Sequence, residues 1–369
     1  MTVQTIVRED ETTIALRHML RRPDFELNVD ERIPAAGITG LFGESGAGKT
    51  TLLRCIAGLE AGSSHDKRPV HRRGIGYVFQ KPQLFPHLDV RGNIEYGRRR
   101  AKSPQTDREQ IIELLGLNAL LDRKPSSLSG GEAQRVAIAS VLLRAPRLVL
   151  MDEPLASLDR RRKEELLPYL DRLHDELSIP MIYVSHSIDE VSRLCDHLLL
   201  IDNGKIVASG ELHAVLSRLD LPLLSGVNAG CVVDAWPQRF DKAFNLTELA
   251  FSGGVLTIPG RYETRDRSVR LRIAAQDVSL CLSRPDGTTI LNVIESRIDE
   301  INDVGASSAL VRLAAGDDYL LAMITRRSVA RLDLKRGDRV FAQVKSCLLY
   351  TSPSPRDHLS YLVCRLLLE

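Results

Sequence analysis

The chain has 369 residues, a length that exceeds what one hydrophobic core usually organises, so we expect two domains. Its 50 Lys and Arg residues nearly balance 48 Asp and Glu residues, and the net charge of +2 offers no basic excess for binding nucleic acid. The sequence contains no apolar run of the ~18 residues that a membrane-spanning helix needs, and it opens with no signal peptide. We therefore expect a soluble protein that stays in the compartment where it is made.

The first part of the chain alternates short apolar runs with amphipathic stretches, which is typical of an α/β domain. The apolar runs predict strands at Ile38–Phe42, 148–151 and Met181–Val184. Helical spacing of apolar residues predicts helices over 108–121, 132–144 and 161–177. The pair Asn203-Gly204 between two apolar runs predicts a hairpin, because Asn and Gly both tolerate positive φ.

From about residue 229 the pattern changes to short alternating segments that are separated by Gly and Asp turns. These segments predict an all-β module with strands at 255–258, 269–273, 309–313, 319–324 and Arg339–Val344. We place the domains at 1–222 and 229–346, with the junction at 221–230.

The C-terminal stretch 347–369 differs in character from the rest of the chain. Its first part, Cys347 to Asp357, resembles the translation of an adapter used in DNA sequencing libraries, and we interpret 347–369 as read-through that is not native. The remaining cysteines show neither metal-ligand spacing nor a disulfide framework, which predicts free thiols in a reducing cytosol: Cys55, Cys195, Cys231 and Cys281.

A glycine-rich segment follows the predicted strand Ile38–Phe42 and precedes a predicted helix. Its residues match the phosphate-loop pattern in full: Gly43, Glu44, Ser45, Gly46, Ala47, Gly48, Lys49 and Thr50. Glycines allow backbone N–H groups to converge on phosphate oxygens at the positive end of a helix. Lys49 can reach the β and γ phosphates, and the Thr50 hydroxyl can ligate Mg²⁺. The segment predicts a nucleoside triphosphate site.

Two adjacent carboxylates, Asp152 and Glu153, end the apolar run at 148–151. Side chains alternate along a strand, so the two carboxylates must point differently unless the strand has ended. This suits a division of labour in which Asp152 faces Mg²⁺ and Glu153 polarises an attacking water. General-base assistance of that kind contributes about 10²–10⁴-fold to a rate.

A second anion site is predicted where Ser129, Gly130, Gly131 and Glu132 open the helix over 132–144. Ser129 and Glu132 have the spacing of a capping box, but capping does not explain two glycines that weaken the first turn. Bare backbone at a helix N-terminus suits an anion. Two such termini in one chain suggest that two copies share nucleotide head to tail.

These residues resemble the ATP-binding-cassette (ABC) family, and the resemblance covers nearly all of 25–215. Gly43 to Thr50 look like its first Walker motif, 148–153 like its second, and Ser129 to Glu132 like its signature motif. Gln80 looks like the Q-loop glutamine, Asp159 like the D-loop aspartate and His186 like the switch histidine.

The resemblance implies a P-loop α/β cassette with a helical subdomain that binds ATP and Mg²⁺ between two copies of the chain. It implies that Glu153 is the general base, that His186 contacts the γ-phosphate and that Gln80 joins Thr50 and Asp152 at Mg²⁺. It also places Thr51 and Asp159 at the nucleotide, and Ser129, Gly130 and Gly131 on the nucleotide of the opposite subunit.

Several further stretches resemble the ATPase subunits of bacterial molybdate importers (ModC type): 37–43, 76–80, 84–93 and 165–170. Segments of the C-terminal part resemble the small OB-like β-barrel (Mop or TOBE type) that binds molybdate in related proteins: 272–279, 290–293, 324–325 and 343–346. Hydroxyl and ammonium groups of Thr289, Ser328, Lys345 and Ser346 are candidate donors to an oxyanion. A barrel that only dimerises the ATPases remains an equal alternative.

The importer resemblance implies partners and a location. A permease on another chain would dock near 80–93, where Phe85, Pro86 and Leu88 predict an exposed apolar patch. A periplasmic oxyanion-binding protein would act indirectly, and the chain would sit on the cytoplasmic face of the bacterial inner membrane. The alternative within this class is an importer for sulfate, iron, polyamine or sugar.

Two hypotheses from other classes are less consistent with the sequence. Cassette ATPases of DNA repair or translation need long coiled-coil insertions or two cassettes, and the sequence has neither. A binding module with a vestigial ATPase is disfavoured by the intact Lys49, Asp152, Glu153 and His186.

The sequence departs from the cassette pattern at two places. The segment 60–71 is short, which predicts that a strand pair of the antiparallel subdomain is missing. No clear aromatic stands where the family stacks adenine; Phe25 is nearest, but its alternation with Leu27 and Val29 favours a place in the core.

Overall fold

The computed structural model describes residues 7–8, 12–60, 69–99, 107–262, 268–346 and 350–351. The chain divides into two compact units between Glu211 and Leu212. Most of the segment 60–71, from which a strand pair is predicted to be missing, lies outside the described residues, since 61–68 are not described. Of the tail that we interpret as read-through, only 350–351 are described.

The first unit is built on a nine-stranded sheet. Its strands are β1 (Val7–Arg8), β2 (Thr13–Arg22), β3 (Phe25–Pro34), β4 (Ile38–Phe42), β5 (Ile75–Val78), β6 (Leu148–Asp152), β7 (Met181–Val184), β8 (His197–Asp202) and β9 (Lys205–Glu211). Their order across the sheet is β1-β2-β3-β9-β8-β4-β7-β6-β5. The predicted strands at Ile38–Phe42 and Met181–Val184 are confirmed, and the one at 148–151 extends by one residue.

The central strands of this sheet run parallel to one another: β8 with β4, β4 with β7, β7 with β6 and β6 with β5. Every residue of β4, β6 and β7 is buried, as expected for strands covered on both faces. Because the strands are parallel, their carboxyl ends lie along one edge of the sheet. The residues that follow β4, β5, β6 and β7 therefore meet at that edge.

The described residues of the first unit form the helices α1 (Lys49–Ala57), α2 (Val90–Arg98), α3 (Arg108–Leu114), α4 (Gly130–Leu142), α5 (Arg160–Glu176) and α6 (Ile188–Leu194). The expectation of one helix over 108–121 is wrong. The helix ends at Leu114 because Gly116 takes a positive φ of 60°, and a separate 3₁₀ turn follows at Asn118–Leu120.

The predicted hairpin joins β8 to β9. Asn203 and Gly204 have φ values of 45° and 75°, the pair of left-handed residues that a tight two-residue turn requires. Asp202 pairs with Lys205 across the turn, so the hairpin prediction is confirmed.

The second unit begins with the short helix α7 (Leu212–Leu216), which contacts the first strand that follows it. Its strands are β10 (Gly230–Asp241), β11 (Leu246–Phe251), β12 (Gly254–Pro259), β13 (Val269–Ala274), β14 (Val278–Cys281), β15 (Asn292–Val304), β16 (Ser308–Ala315), β17 (Asp318–Thr325), β18 (Arg339–Val344) and β19 (Tyr350–Thr351). Helix α8 (Arg326–Leu332) follows β17.

All strand pairs of the second unit are antiparallel, and they form sheets ordered β12-β11-β10-β13-β19 and β14-β18-β15-β16-β17. One buried apolar cluster draws residues from both sheets, among them Val233, Leu249, Ile294 and Leu313. This shared core confirms the predicted all-β, OB-like module.

Within the described ranges, none of the helices combines the length and the apolar character that a membrane span requires.

A charged contact ties the end of α5 to the amino-terminal edge of the parallel sheet. His174 Nε2 lies 2.7 Å from Asp196 Oδ2, and the same oxygen accepts a hydrogen bond from the Ile38 N–H at the start of β4. Hydrogen bonds to Asp175 and Asp196 raise the pKa of His174 from 6.5 to about 9. The folded state therefore binds a proton here that the unfolded state releases near neutral pH.

This linkage predicts that the contact stabilises the protein fully below about pH 6.5 and that the stabilisation is lost as pH rises through about 9. We expect His174→Gln to lower the midpoint of thermal unfolding at pH 6, with a deficit that shrinks towards zero by pH 10. The exposed His71→Gln serves as the matched control and should show no such trend. A deficit that is constant from pH 6 to pH 10 would contradict this role of His174.

Candidate functional site

The phosphate loop connects β4 to α1, at the carboxyl edge of the parallel sheet. Gly43 leaves no room for a side chain, since a Cβ there would lie 2.3 Å from the Ile201 carbonyl oxygen. Gly46 and Gly48 have φ values of 87° and 104°, and Gly48 caps the N-terminus of α1. The loop therefore needs glycine for both packing and backbone conformation, and it presents the helix N-terminus to the edge.

Lys49 is the first residue of α1 and is almost completely buried. Its Nζ donates hydrogen bonds to the carbonyl oxygens of Gly43 and Glu44, both at 2.8 Å, so the side chain folds over the loop. Burial lowers the pKa of Lys49, while the carboxylates of Glu153 and Asp152 oppose that effect. The ammonium group is thus held at the loop with two carboxylates nearby.

The structure brings Thr50 and Asp152 together, although about a hundred residues separate them in sequence. Thr50 Oγ1 donates to Asp152 Oδ1 at 3.0 Å, and Tyr77 OH donates to Asp152 Oδ2 at 2.8 Å. Hydroxyl and carboxylate oxygens are the ligands that Mg²⁺ prefers, so this pair fits the metal that the sequence predicts. Gln80, the third predicted ligand, is exposed just beyond the carboxyl end of β5, at the same edge.

Glu153 begins the turn after β6 and has a positive φ of 47°. Its N–H donates to the Val184 carbonyl oxygen at 3.1 Å, which fixes the turn against the end of β7. His186 follows β7, and its Nδ1 lies 3.6 Å from Glu153 Oε2. Asp152 and Glu153 thus have separate partners, as the sequence-based division of labour requires.

The signature segment opens α4 with a complete capping box. Ser129 Oγ accepts the Glu132 N–H at 3.3 Å, and Glu132 Oε2 accepts the Ser129 N–H at 2.7 Å. A Cβ on Gly130 would meet Leu158 Cδ2 at 3.1 Å, whereas no described atom lies within 4 Å of a Cβ on Gly131. Nothing in the described chain therefore accounts for glycine at 131.

Asp159 has a local role in the structure. Its Oδ1 accepts the Arg162 N–H at 3.0 Å and thereby caps the N-terminus of α5. Thr51 lies half-buried in the first turn of α1, one residue beyond Thr50. The remaining loop residues of the predicted site, Glu44 and Ser45, are exposed, and Ala47 is buried.

Tyr77 is a site residue that the sequence analysis did not assign. It lies in β5, where the register with β6 pairs it with Leu150, two residues before Asp152. Burial and the neighbouring Asp152 raise the pKa of Tyr77, so its hydroxyl stays a donor. A half-buried tyrosine in a strand favours a partner for its hydroxyl, and that preference is the signal the sequence carries.

Phe25 packs partly buried against the core of the first unit, as its alternation predicts. The Phe25 ring also lies against the phosphate loop. A Cβ added to Gly48 would be only 2.7 Å from Phe25 Cζ.

The apolar patch predicted at Phe85, Pro86 and Leu88 needs correction, because only Pro86 is exposed. Asn93 is buried and holds this loop: its Oδ1 accepts the Phe85 N–H at 2.7 Å, and its Nδ2 donates to the carbonyl oxygens of Phe85, Leu88 and Asp89. The Phe85 ring packs on Tyr96, with centroids 4.2 Å apart. The exposed aromatic side chains of this region are Phe79 and Tyr96.

The four candidate oxyanion donors of the second unit do not form one cluster. Asn292, the first residue of β15, pairs with Val344 of β18, so Thr289, Lys345 and Ser346 lie at that end of β15. Ser328 lies in α8, beyond the β17 residue that pairs with Ser308, at the opposite end of β15. A strand of 13 residues spans up to ~40 Å, so the two sets of donors lie at opposite ends of a long strand.

Comparisons with known proteins match the N-terminal and C-terminal parts of the chain to two different families. The ABC transporter family profile matches residues 27–156, and the TOBE domain profile matches 288–347. The "Molybdenum import ATP-binding protein ModC" of Methylococcus capsulatus is 49% identical over 342 residues, covering 89% of this chain and 96% of that protein. The protein of the same name from Thiobacillus denitrificans is 48% identical, covering 92% and 98%.

Among solved structures, cbiO1 from Clostridium perfringens, described as part of the ABC transporter complex cbiONQ, is 26% identical. That match covers 57% of this chain and 92% of the other, with a TM-score of 0.49. The sequence relatives carry the assignment, since they are similar to this chain along nearly its whole length. The chain belongs to the ABC transporter ATP-binding proteins and, within them, to the molybdenum import (ModC) family.

Proposed function

We propose that this protein is the ATP-hydrolysing subunit of a molybdate importer. The observation that carries the proposal is the meeting of Thr50, Asp152, Glu153 and His186 at one sheet edge, with contacts of 3.0 Å between Thr50 and Asp152 and 3.6 Å between His186 and Glu153. The molybdenum import relatives favour molybdate over sulfate, iron, polyamine or sugar as the solute.

ATP would bind at the phosphate loop, with its phosphates against the backbone N–H groups at the start of α1. Lys49 Nζ would turn from the Gly43 and Glu44 carbonyl oxygens towards the β and γ phosphates. Thr50 and Asp152 would hold Mg²⁺, with Gln80 as the third group. When bound, Mg²⁺ supplies positive charge that offsets the charge developing on the phosphates.

Glu153 would accept the proton of the attacking water, and His186 would hold the Glu153 carboxylate and contact the γ-phosphate. The 3.6 Å separation between His186 Nδ1 and Glu153 Oε2 supports a shared task for the two side chains. Their turns follow neighbouring parallel strands, so the distance depends on the backbone of β6 and β7.

The signature segment would complete the ATP site of a second copy. The open space at Gly131 supports this, since a glycine that no described neighbour requires fits close approach of another molecule. Ser129, Gly130 and Gly131 would then contact the partner's nucleotide in a head-to-tail homodimer, with Asp159 beside them. Each dimer would hold two composite sites.

A membrane permease would contact the loop at 80–93 at the exposed Pro86, together with the exposed Phe79 and Tyr96 that flank the loop. Asn93 fixes the part of that loop between Phe85 and Asp89 through four hydrogen bonds, so this part would move together with α2. The protein would thus sit peripherally on the cytoplasmic face of the inner membrane. A periplasmic oxyanion-binding protein would act through the permease.

We expect Glu153→Gln to bind ATP with little change and to hydrolyse it at least ~100-fold more slowly, because the amide cannot accept the proton of the attacking water. Binding is measured by equilibrium titration and turnover by phosphate release. Glu164→Gln, an exposed glutamate on α5, is the matched control and should retain the wild-type rate. Full turnover by Glu153→Gln would refute the assignment of the general base.

The second unit is proposed to bind molybdate at the Asn292 end of β15. Calorimetric titration of the full chain should show binding of molybdate and not of sulfate. Lys345→Met should weaken it, whereas Lys242→Met, in the exposed turn after β10, should not. If neither anion binds, the β unit is a dimerisation device and the ATPase assignment is unaffected.

A further inference from the structure

The buried carboxylate of Glu190 lies outside the proposed ATP site and connects the turn that carries His186 with the start of α5. Glu190 lies in α6 and is 7% exposed. Its Oε1 accepts from Lys163 Nζ at 2.9 Å, and its Oε2 accepts from Tyr183 OH at 3.0 Å and Ser185 Oγ at 2.8 Å. A buried carboxylate is costly unless its oxygens are bonded, so the three donors are held firmly around it.

The bonds of Glu190 fix the chain on both sides of His186. Ser185 Oγ, which donates to Glu190, also accepts the Ser187 N–H at 3.0 Å. Ser187 Oγ in turn accepts the Glu190 N–H at 3.4 Å and caps α6. The turn 185–187 is therefore closed by one residue, which contributes both its carboxylate and its backbone N–H.

The other side of the carboxylate reaches α5. Lys163 lies in the first turn of that helix, and its N–H donates to the Asp159 carbonyl oxygen at 3.0 Å. The ion pair between Lys163 and Glu190 thus joins the helix that Asp159 caps to the turn that carries His186.

Tyr183 anchors the carboxylate to the sheet. It is completely buried in β7, beside Met151 of β6. Burial and the neighbouring Glu190 raise the pKa of Tyr183, so its hydroxyl remains a donor. The Glu190 carboxylate, on α6, is therefore bonded to the strand that ends just before the turn of His186 and to α5.

We propose that Glu190 is a positioning residue for ATP hydrolysis, which holds the turn 185–187 so that His186 stays beside Glu153, and which links that turn to the start of α5. The inference rests on the proposed ATPase function. A buried ion pair adds little to stability relative to a well-packed apolar pair, because desolvation offsets the attraction between the charges, which favours geometry as the property that Glu190 supplies.

The structure provides a matched pair of variants for the test. Ser185→Ala removes the hydroxyl that joins Glu190 to the turn. Ser192→Ala makes the same change at a serine of α6 that is equally buried and whose Oγ has no hydrogen-bond partner in the part of the chain that the structure describes. Glu190→Gln is the second test variant, because its amide cannot accept from the Lys163 ammonium and both hydroxyls together.

Two readouts are measured on the full chain: kcat and KM for Mg-ATP, and the ¹³C-histidine NMR resonance of His186, identified by its loss in His186→Ala. We expect Ser185→Ala and Glu190→Gln to lower kcat about 10- to 100-fold at nearly constant KM, since small misplacements of catalytic groups cost that much. Both should shift the His186 resonance, whereas Ser192→Ala should change neither readout.

The proposal is overturned if Ser185→Ala matches Ser192→Ala in either readout, because then the hydroxyl bond does not position His186 for the reaction. In a His186→Ala background, Ser185→Ala should cost little further rate, and an undiminished cost would also overturn it. Failure of the proposed function is distinguishable, since a wild-type chain without ATPase activity would still show whether the His186 resonance depends on Ser185.

Discussion

The parallel register of β4, β7, β6 and β5 is the constraint on which the rest of the first unit depends. Hydrogen bonds between these strands fix where each one ends, and the four ends supply the phosphate loop, Glu153, His186 and Gln80. A change in the pairing register would move the residues that follow the strands relative to one another and separate Thr50 from Asp152. Every residue of β4, β6 and β7 is buried, so the fit of their side chains to the core disfavours such a change.

Hydrogen bonds at the carboxyl edge of the parallel sheet hold the residues that follow the strands in fixed positions relative to one another. Asp152 accepts from Thr50 on α1 and from Tyr77 on β5, so one carboxylate joins three elements. Glu153 has left-handed backbone, which costs of order 1–2 kcal/mol for a residue with a Cβ. Its N–H bond to Val184 holds that conformation and directs the carboxylate to His186 instead of Thr50. The glycines of the phosphate loop and the strained Glu153 both serve the geometry of this edge.

Patterns local in the chain were enough to predict most of the fold. The central strands, the hairpin at Asn203-Gly204 and the all-β second unit are confirmed, since apolar runs and turn residues carry that information. The prediction of one helix over 108–121 was wrong because the apolar spacing of the sequence continues past Gly116, where the backbone turns. The exposure of Phe85 was predicted wrongly because the Phe85 ring packs against Tyr96, which lies in the helix α2 that follows the loop.

Tyr77 and Glu190 could not be predicted because their partners are distant in sequence or are brought near by a turn. Tyr77 meets Asp152 only through the pairing of β5 with β6, and Glu190 meets Lys163 only through the packing of α5 beside α6. The phosphate loop, the Asp152-Glu153 pair and the signature segment were predicted from contiguous motifs, whereas Gln80, Asp159 and His186 were assigned through the resemblance to the ABC family, and their roles at the ATP site stay predictions.

The central claim is that one ATP site needs two copies of the chain, and mixing two inactive variants tests it most directly. Lys49→Ala disables the phosphate loop but keeps the signature segment, and Gly131→Asp does the reverse. Each alone should be inactive, and an equal mixture should recover about a quarter of the wild-type rate, since half of the dimers are mixed and each has one intact site of two. A mixture as inactive as its components, or a fully active Gly131→Asp, would contradict the account.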